Sequence, residues 1–297
     1  MDLRGVHAAP WEQDRVVATE FARGVHVWSL GGEHLARLET HHDAGGRRAA
    51  LVPGGQPLVL AGAWERHGVC AYDLAGQLLW QDRRSSAVQR LTVVDGGRVV
   101  VCYERSGTRV LDVGSGEEVR RLRGVRELFA LRRGLSLGVG NGGYRLLGPE
   151  LDPCGPRVPL RAGSWGVVSA AADDEGRLVV AEAGGPLRFF VEDEERAAVR
   201  TPDDLVRHVA HDPVTRTWVV LRELEDGGSV HARVVRLDDD GRVLEQQGSA
   251  PLRDAVTVRD GRELVLLREG VEVLDCATLT TRTLFTLTGP RSDDEQT

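Results

Sequence analysis

The 297-residue chain contains no lysine and no isoleucine, and Asn141 is its only asparagine. All three are encoded by AT-rich codons, whereas Arg, Ala, Gly, Val and Leu abound. The bias points to a very GC-rich genome, that of an actinobacterium or a myxobacterium, and leaves Val and Leu to fill a core. Long apolar runs are also lacking. No window approaches the roughly 18 uninterrupted apolar residues of a spanning helix, and the opening "MDLRGVHAAPWEQDR" lacks the apolar stretch of a signal peptide. A cytoplasmic protein with no membrane partner is expected.

Concentrated positive charge is missing as well. The net charge is −7, and no arginine-rich run carries interleaved aromatics, which argues against a nucleic-acid partner. The four cysteines, Cys70, Cys102, Cys154 and Cys276, lie far apart with no C-x-x-C pair. That spacing suits neither a zinc knuckle nor a disulfide framework, so buried or incidental thiols are expected. There is no glycine-rich phosphate loop and no strict G-x-S-x-G elbow. The nearest stretch, "AGSWG" at 162–166, has Ala162 in place of the first glycine. Its Ser164 falls in a predicted loop with no helix after it and no nameable histidine partner, so an ordinary loop serine is expected.

What is present is β structure. Apolar runs of four to seven residues, rich in Val, recur between turns bearing Gly and Asp, and no stretch keeps a helical period. Seven segments align as strand, turn, strand: "VWSLGGEHLARL" from Val27, "AYDLAGQLLW" from Ala71, "VLDVGSGEEVRRL" from Val110, "LLGPELDPCGPRV" from Leu146, "FFVEDEERAAV" from Phe189, "VVRLDDDGRVLEQ" from Val234 and "VLDCATLTTRTL" from Val273. With Trp28, Tyr72, Leu111, Leu147, Phe190, Val235 and Leu274 as equivalent positions, the steps are 44, 39, 36, 43, 45 and 39 residues. A period of roughly 40–45 residues with four strands per repeat is that of a propeller blade. A single seven-bladed, all-β propeller with four antiparallel strands (a to d, from the channel outward) per blade is therefore expected over 1–290, followed by a disordered polar tail at 291–297. The first repeat fits within residues 3–39 and the last within 254–287, so the ring should close by packing of the end blades, without a shared strand. Pro149, Pro153, Pro156 and Pro159 crowd the outer strand of blade four, whose edge should be frayed.

Two propeller families are resembled. "VWSL", "YDL", "VLDV" and "VLDC" resemble the strand-c ending of WD-repeat proteins. Ala71, Asp73, Gly76 and Trp80 resemble the A-x-D-x-x-T-G-x-x-x-W tryptophan-docking motif of quinoprotein-like propellers, with Ala75 where Thr is usual and one residue fewer before the glycine. The resemblance implies that Ala71 and Trp80 pack between blades and that Asp73 and Gly76 shape the turn. It implies blade docking and nothing of a quinone.

The a–b and c–d turns, such as "GSGEE" at 114–118, "DDEGR" at 173–177, "EDEER" at 192–196 and "DDDGR" at 238–242, carry an acidic excess. Asp and Gly suit tight hairpins, so turn chemistry and solubility account for that face ahead of a cationic partner. The opposite face holds the b–c turns and d–a connections. There "EFARG" at 20–24, "WERHG" at 64–68 and "YERSG" at 103–107 repeat an aromatic, a charge and a glycine on blades one to three. Trp, Tyr and Arg are frequent interface anchors. The candidate partner-binding residues are Arg23, His41, His42, Trp64, Glu65, Arg66, His67, Tyr103 and Arg105, with packing between blades as the competing role for Tyr103. His41, His42, Asp43 and His67 are weighed as metal ligands and set aside, because adjacent residues on an extended chain point apart. Catalytic residues, cofactor and metal are expected to be none. The expected function is a non-catalytic protein- or peptide-binding scaffold within a larger assembly, serving an effector such as a peptidase or kinase. The alternative is a small-molecule enzyme or binder, lactonase-like or quinoprotein-like, with its site at the channel mouth; against the lactonase form, Asn141 lies in a predicted b–c turn.

Overall fold

The computed structural model describes residues 3–20, 24–40, 48–54, 56–62, 68–83, 86–95, 97–199, 204–226 and 229–286. They form seven four-stranded antiparallel sheets, each made from consecutive strands, at 3–39, 48–82, 88–122, 127–159, 167–199, 204–249 and 254–286. The chain is thus a seven-bladed β-propeller, as the repeats imply. Among the described residues there is no α-helix, only two 3-10 turns, Arg132–Gly134 and Arg259–Gly261. The polar tail at 291–297 lies outside the described residues.

Blade architecture explains the strand composition. Strand b lies mid-sheet with another blade against each of its faces, so it is apolar without alternation. "RVVVCY" (Arg98–Tyr103) is buried at every position after its first, and "LVLAG" (Leu58–Gly62) likewise. Strand d borders solvent and alternates instead: "EERAAV" (Glu194–Val199) switches strictly between exposed and half-buried positions. Buried apolar side chains gather into seven clusters, one at each junction between neighbouring blades. Core therefore sits between sheets, and no blade can bury its faces alone.

The ring closes without a shared strand. Val6 and Leu267 pack in one cluster, Trp28 and Phe285 stack with centroids 3.8 Å apart, and Arg282 Nη1 donates to the Leu30 carbonyl at 2.7 Å. Backbone N–H groups of Arg259 and Asp260 donate to Glu12 and Pro10 carbonyls. The outer strand of blade four shrinks to Val158–Pro159, with one further bridge from Leu147 to Pro153, as its prolines dictate. Blade six corrects the repeat register. Leu237, just before the c–d turn, occupies the place assigned to Val235, because alternation lets a two-residue slip keep the same face. Its strands Thr217–Asp226 and Ser229–Leu237 are also longer than their counterparts, so this hairpin extends further on the b–c side.

Most of the acidic turns prove to be built by their own aspartates. Asp73, Asp95, Asp112, Asp173, Asp212, Asp238 and Asp275 each accept backbone N–H groups two to four residues ahead. These side-chain turns consume the carboxylates locally.

Candidate functional site

Two regions hold functional chemistry. The first is the channel. Every strand a begins at the d–a end, and three strands bring arginine to that part of the wall: Arg48 opens Arg48–Val52, Arg90 is third in Val88–Val93, and Arg207 occupies the bulge of Asp204–Asp212. They line one cavity of about 210 Å³ together with His7 and Asp254.

Each group is held differently. Arg48 Nε donates to the Gln89 carbonyl. The Arg90 guanidinium lies 4.0 Å over the Phe129 ring, and its Nε stands 4.0 Å from Glu127 Oε2, beyond hydrogen-bond range. Arg207 Nε donates to Glu223 Oε2 at 2.5 Å, and Glu223 also accepts the Leu252 N–H. Asp254 Oδ2 accepts the Val6 N–H at 3.0 Å, and burial pushes its carboxyl above the usual range. His7 Nε2 is buried with no hydrogen-bond partner. Burial, with Arg48 and Arg90 nearby, lowers the His7 pKa to about 3. His208, whose Nε2 lies 2.8 Å from Thr257 Oγ1, falls to about 4 through burial and Arg90. Both imidazoles are neutral at physiological pH inside a positive field.

The second region is the b–c/d–a face. Trp165, in the connection between blades four and five, is 82% exposed. Its backbone is nonetheless fixed: the backbone N–H of Trp165 donates to the Ala183 carbonyl, and the Ala183 N–H returns a bond to the Gly166 carbonyl. Beneath it, the buried Glu182 carboxylate accepts Ser164 Oγ at 2.6 Å, the Arg161 N–H at 3.0 Å and Arg188 Nη1 at 2.8 Å. The b–c turn must be glycine: Gly184 has φ +71°, and a Cβ there would lie 2.9 Å from the Trp165 indole nitrogen. Ser164 is therefore a tether for this connection. Leu205 and Val230, 54% and 45% exposed at the b–c/d–a end of blade six, add apolar area on the same side.

Of the residues selected from sequence, Arg23, His41, His42, Trp64, Glu65, Arg66 and His67 lie outside the described residues. Tyr103 closes its strand with a buried ring, packs at the junction of blades two and three and donates its hydroxyl to Asp82. It takes the packing role because the last residue of a central strand is still covered by the neighbouring blade. Arg105 is exposed, its backbone N–H bonded to Ser86 Oγ at 2.9 Å. Sequence reasoning passed over Trp165, reading "AGSWG" for its serine, although an aromatic flanked by glycine in a connection is itself a signal. It also passed over the channel arginines, whose sequence sign was an Arg early in the inner strands "RAALV", "VQRLTV" and "DLVRHVAHD".

The tryptophan-docking resemblance holds in three dimensions. Ala71 is fully buried at the junction of blades two and three, and Trp80 packs on the same cluster. No family model matches the chain, and no curated protein matches it. Among solved structures it is similar to the computationally designed Ika8 protein, with a TM-score of 0.63 and 19% identity over 89% of this chain and 80% of that one. It is also similar to BamB from Moraxella catarrhalis, with a TM-score of 0.61 and 16% identity over 91% and 82%. At such identities the likeness is one of fold, and BamB is a propeller of quinoprotein-like type.

Proposed function

We propose that this propeller is a non-catalytic scaffold that docks another protein or a peptide on its b–c/d–a face. The observation that carries the reading is Trp165, whose backbone is bonded to the Gly184 turn and whose indole edge lies against Gly184 yet stays mostly in solvent. A tryptophan whose backbone is ordered in advance adds large contact area at a smaller ordering cost on binding, which suits an interface anchor. The extended hairpin of blade six, with Leu205 and Val230, and the exposed Arg105 lie on the same face. Trp64, Glu65, Arg66 and His67, with Arg23, His41 and His42, would extend the surface across blades one and two. The acidic a–b/c–d face is the weaker candidate, since its aspartates are engaged in their own turns.

Affinity capture from a lysate of the source organism tests this. The wild type should retain a partner that is lost by Trp165→Ala and weakened by Trp64→Ala/Arg66→Ala, while Val119→Ala, on an outer strand, leaves recovery unchanged. Recovery at the wild-type level by both Trp165→Ala and the double variant would sink the assignment of this face.

A further inference from the structure

We propose that the channel is a binding site for a small polyanion, a compact ligand bearing phosphate or carboxylate groups, held by Arg48, Arg90 and Arg207 with His7 beside them. This goes beyond the docking function and stands on separate residues.

The first argument is convergence. Blades two, three and six each bring one guanidinium to the wall of a single cavity, in a protein whose net charge is −7. The second is incomplete pairing. Arg90 makes no hydrogen bond among the described residues: its guanidinium carbon lies 4.0 Å over the Phe129 ring and its Nε stands 4.0 Å from Glu127 Oε2. Its donors are thus available for charge-assisted contact with an oxyanion. Arg207 engages Glu223 only through Nε, and its terminal nitrogens have no partner among the described residues. Asp254, the acid within the cavity, pairs with neither: its carboxylate is taken up by the Val6 and Ala255 N–H groups. Glu223 and, at 4.0 Å, Glu127 offset part of the charge, yet the terminal nitrogens of Arg90 and Arg207 stay without hydrogen bonds among the described residues. The third is the unsatisfied Nε2 of His7, a buried polar atom beside the cavity that a ligand oxygen would complete.

Size limits the ligand class. A cavity of about 210 Å³ holds the volume of about seven waters, enough for inorganic phosphate or a four-carbon dicarboxylate.

The test is calorimetric titration of the whole protein with inorganic phosphate and, separately, with succinate. Saturable binding of either supports the proposal, and which arm responds tells phosphate from carboxylate recognition. Arg90→Gln should weaken it by about tenfold or more, and Arg48→Gln comparably, because a charge-assisted pair is lost in each. Arg90→Lys should fall between, keeping the charge but losing the fork, and Arg121→Gln on the outer strand Glu118–Leu122 should bind as the wild type does. A readout needing no variant is the NMR signal of the His7 ring, which should shift on titration. Absence of saturable binding in both arms, unchanged affinity in Arg90→Gln and Arg48→Gln, or an unmoved His7 signal would overturn it. Partner capture by Arg90→Gln should stay at the wild-type level, which separates this outcome from that of the docking face.

Discussion

The indole N–H of Trp80, on the outer strand of blade two, donates to the Val113 carbonyl of blade three at 2.7 Å. Its ring lies against Gly116 in the next c–d turn, where an added Cβ would sit 2.5 Å away. The relationship recurs around the ring with other side chains. Arg120 donates to the Glu150 carbonyl, Gln247 to that of Leu279 and Arg282 to that of Leu30, each from an outer strand to the c–d turn of the following blade. Blade docking is thus a property of the repeat position, and tryptophan is one way to fill it.

Trp80→Ala should destabilise the fold by about 2–4 kcal/mol, slightly below the range for a fully buried aromatic because the ring is only partly covered. Gly116→Ala should cost about 1–3 kcal/mol through the blocked ring and the positive φ of 74°. Leu79→Ala, one residue away and exposed, should stay within about 0.5 kcal/mol. Denaturant titration reads all three, and equal effects at 79 and 80 would contradict the docking role.

Closure at the chain ends rests on side-chain packing and a few hydrogen bonds, so it should be the ring's most easily opened junction. Phe285→Ala removes the stack on Trp28 and should cost about 2–4 kcal/mol. Hydrogen exchange should speed up first in the strands Leu3–His7 and Thr281–Thr286, with blade five little changed. Uniform acceleration across all blades would show that the ring opens only as a whole.

Stability should fall as pH drops from about 6.5. His7 and His208 are held neutral down to about 3 and 4 by burial and nearby arginines, and burial lowers His26 and His211 as well. The unfolded chain takes up these protons near pH 6.5, so between about 6.5 and 4 it binds more protons than the native state and is favoured increasingly. The stabilisation is complete above pH 6.5, and each histidine contributes at most about 1.4 kcal/mol per pH unit within the window. Asp254, raised by burial, opposes this trend over part of the range. His7→Gln/His208→Gln should flatten the slope measured by urea unfolding at stepped pH; an unchanged slope would show that other groups dominate.

Thiol chemistry should separate one cysteine from three. Cys154 is exposed, whereas Cys70, Cys102 and Cys276 are buried, and burial raises the Cys102 pKa to about 11. One thiol should react slowly with a disulfide reagent in the native protein, since desolvation and Asp193 also push the Cys154 pKa upward. The other three should react only after unfolding. Cys154→Ser should abolish the native signal, and a remaining reactive thiol would mean that a junction opens readily.

Much of this architecture was legible in the sequence because a propeller repeats a local unit. "AYDLAGQLLW" announces strand c, turn and strand d through nearest-neighbour chemistry alone: Asp73 accepts the Gln77 N–H, and Gly76 takes φ +86°. Seven copies at a steady period then set the blade count. The same locality explains the slip at Val235, where alternating apolar residues make positions two apart interchangeable until Leu237 is fixed by its pairing with Trp218. Tyr103 was ambiguous for a related reason: a residue at the end of strand b is buried or bare according to how far the adjacent blade reaches.

What the sequence determined by itself is the unit: four strands, aspartate-built turns, a mid-sheet strand apolar on both faces, and an outer strand that docks. These follow from contacts within some forty residues or with the next repeat. Only the closed ring decided the rest. Arg48, Arg90 and Arg207 share one cavity because blades two, three and six curve around a common axis. Trp165 stands in solvent because Glu182, one blade further on, ties down the loop beneath it. Each of these depends on residues far apart in the chain, and no local pattern encodes a convergence created by ring geometry.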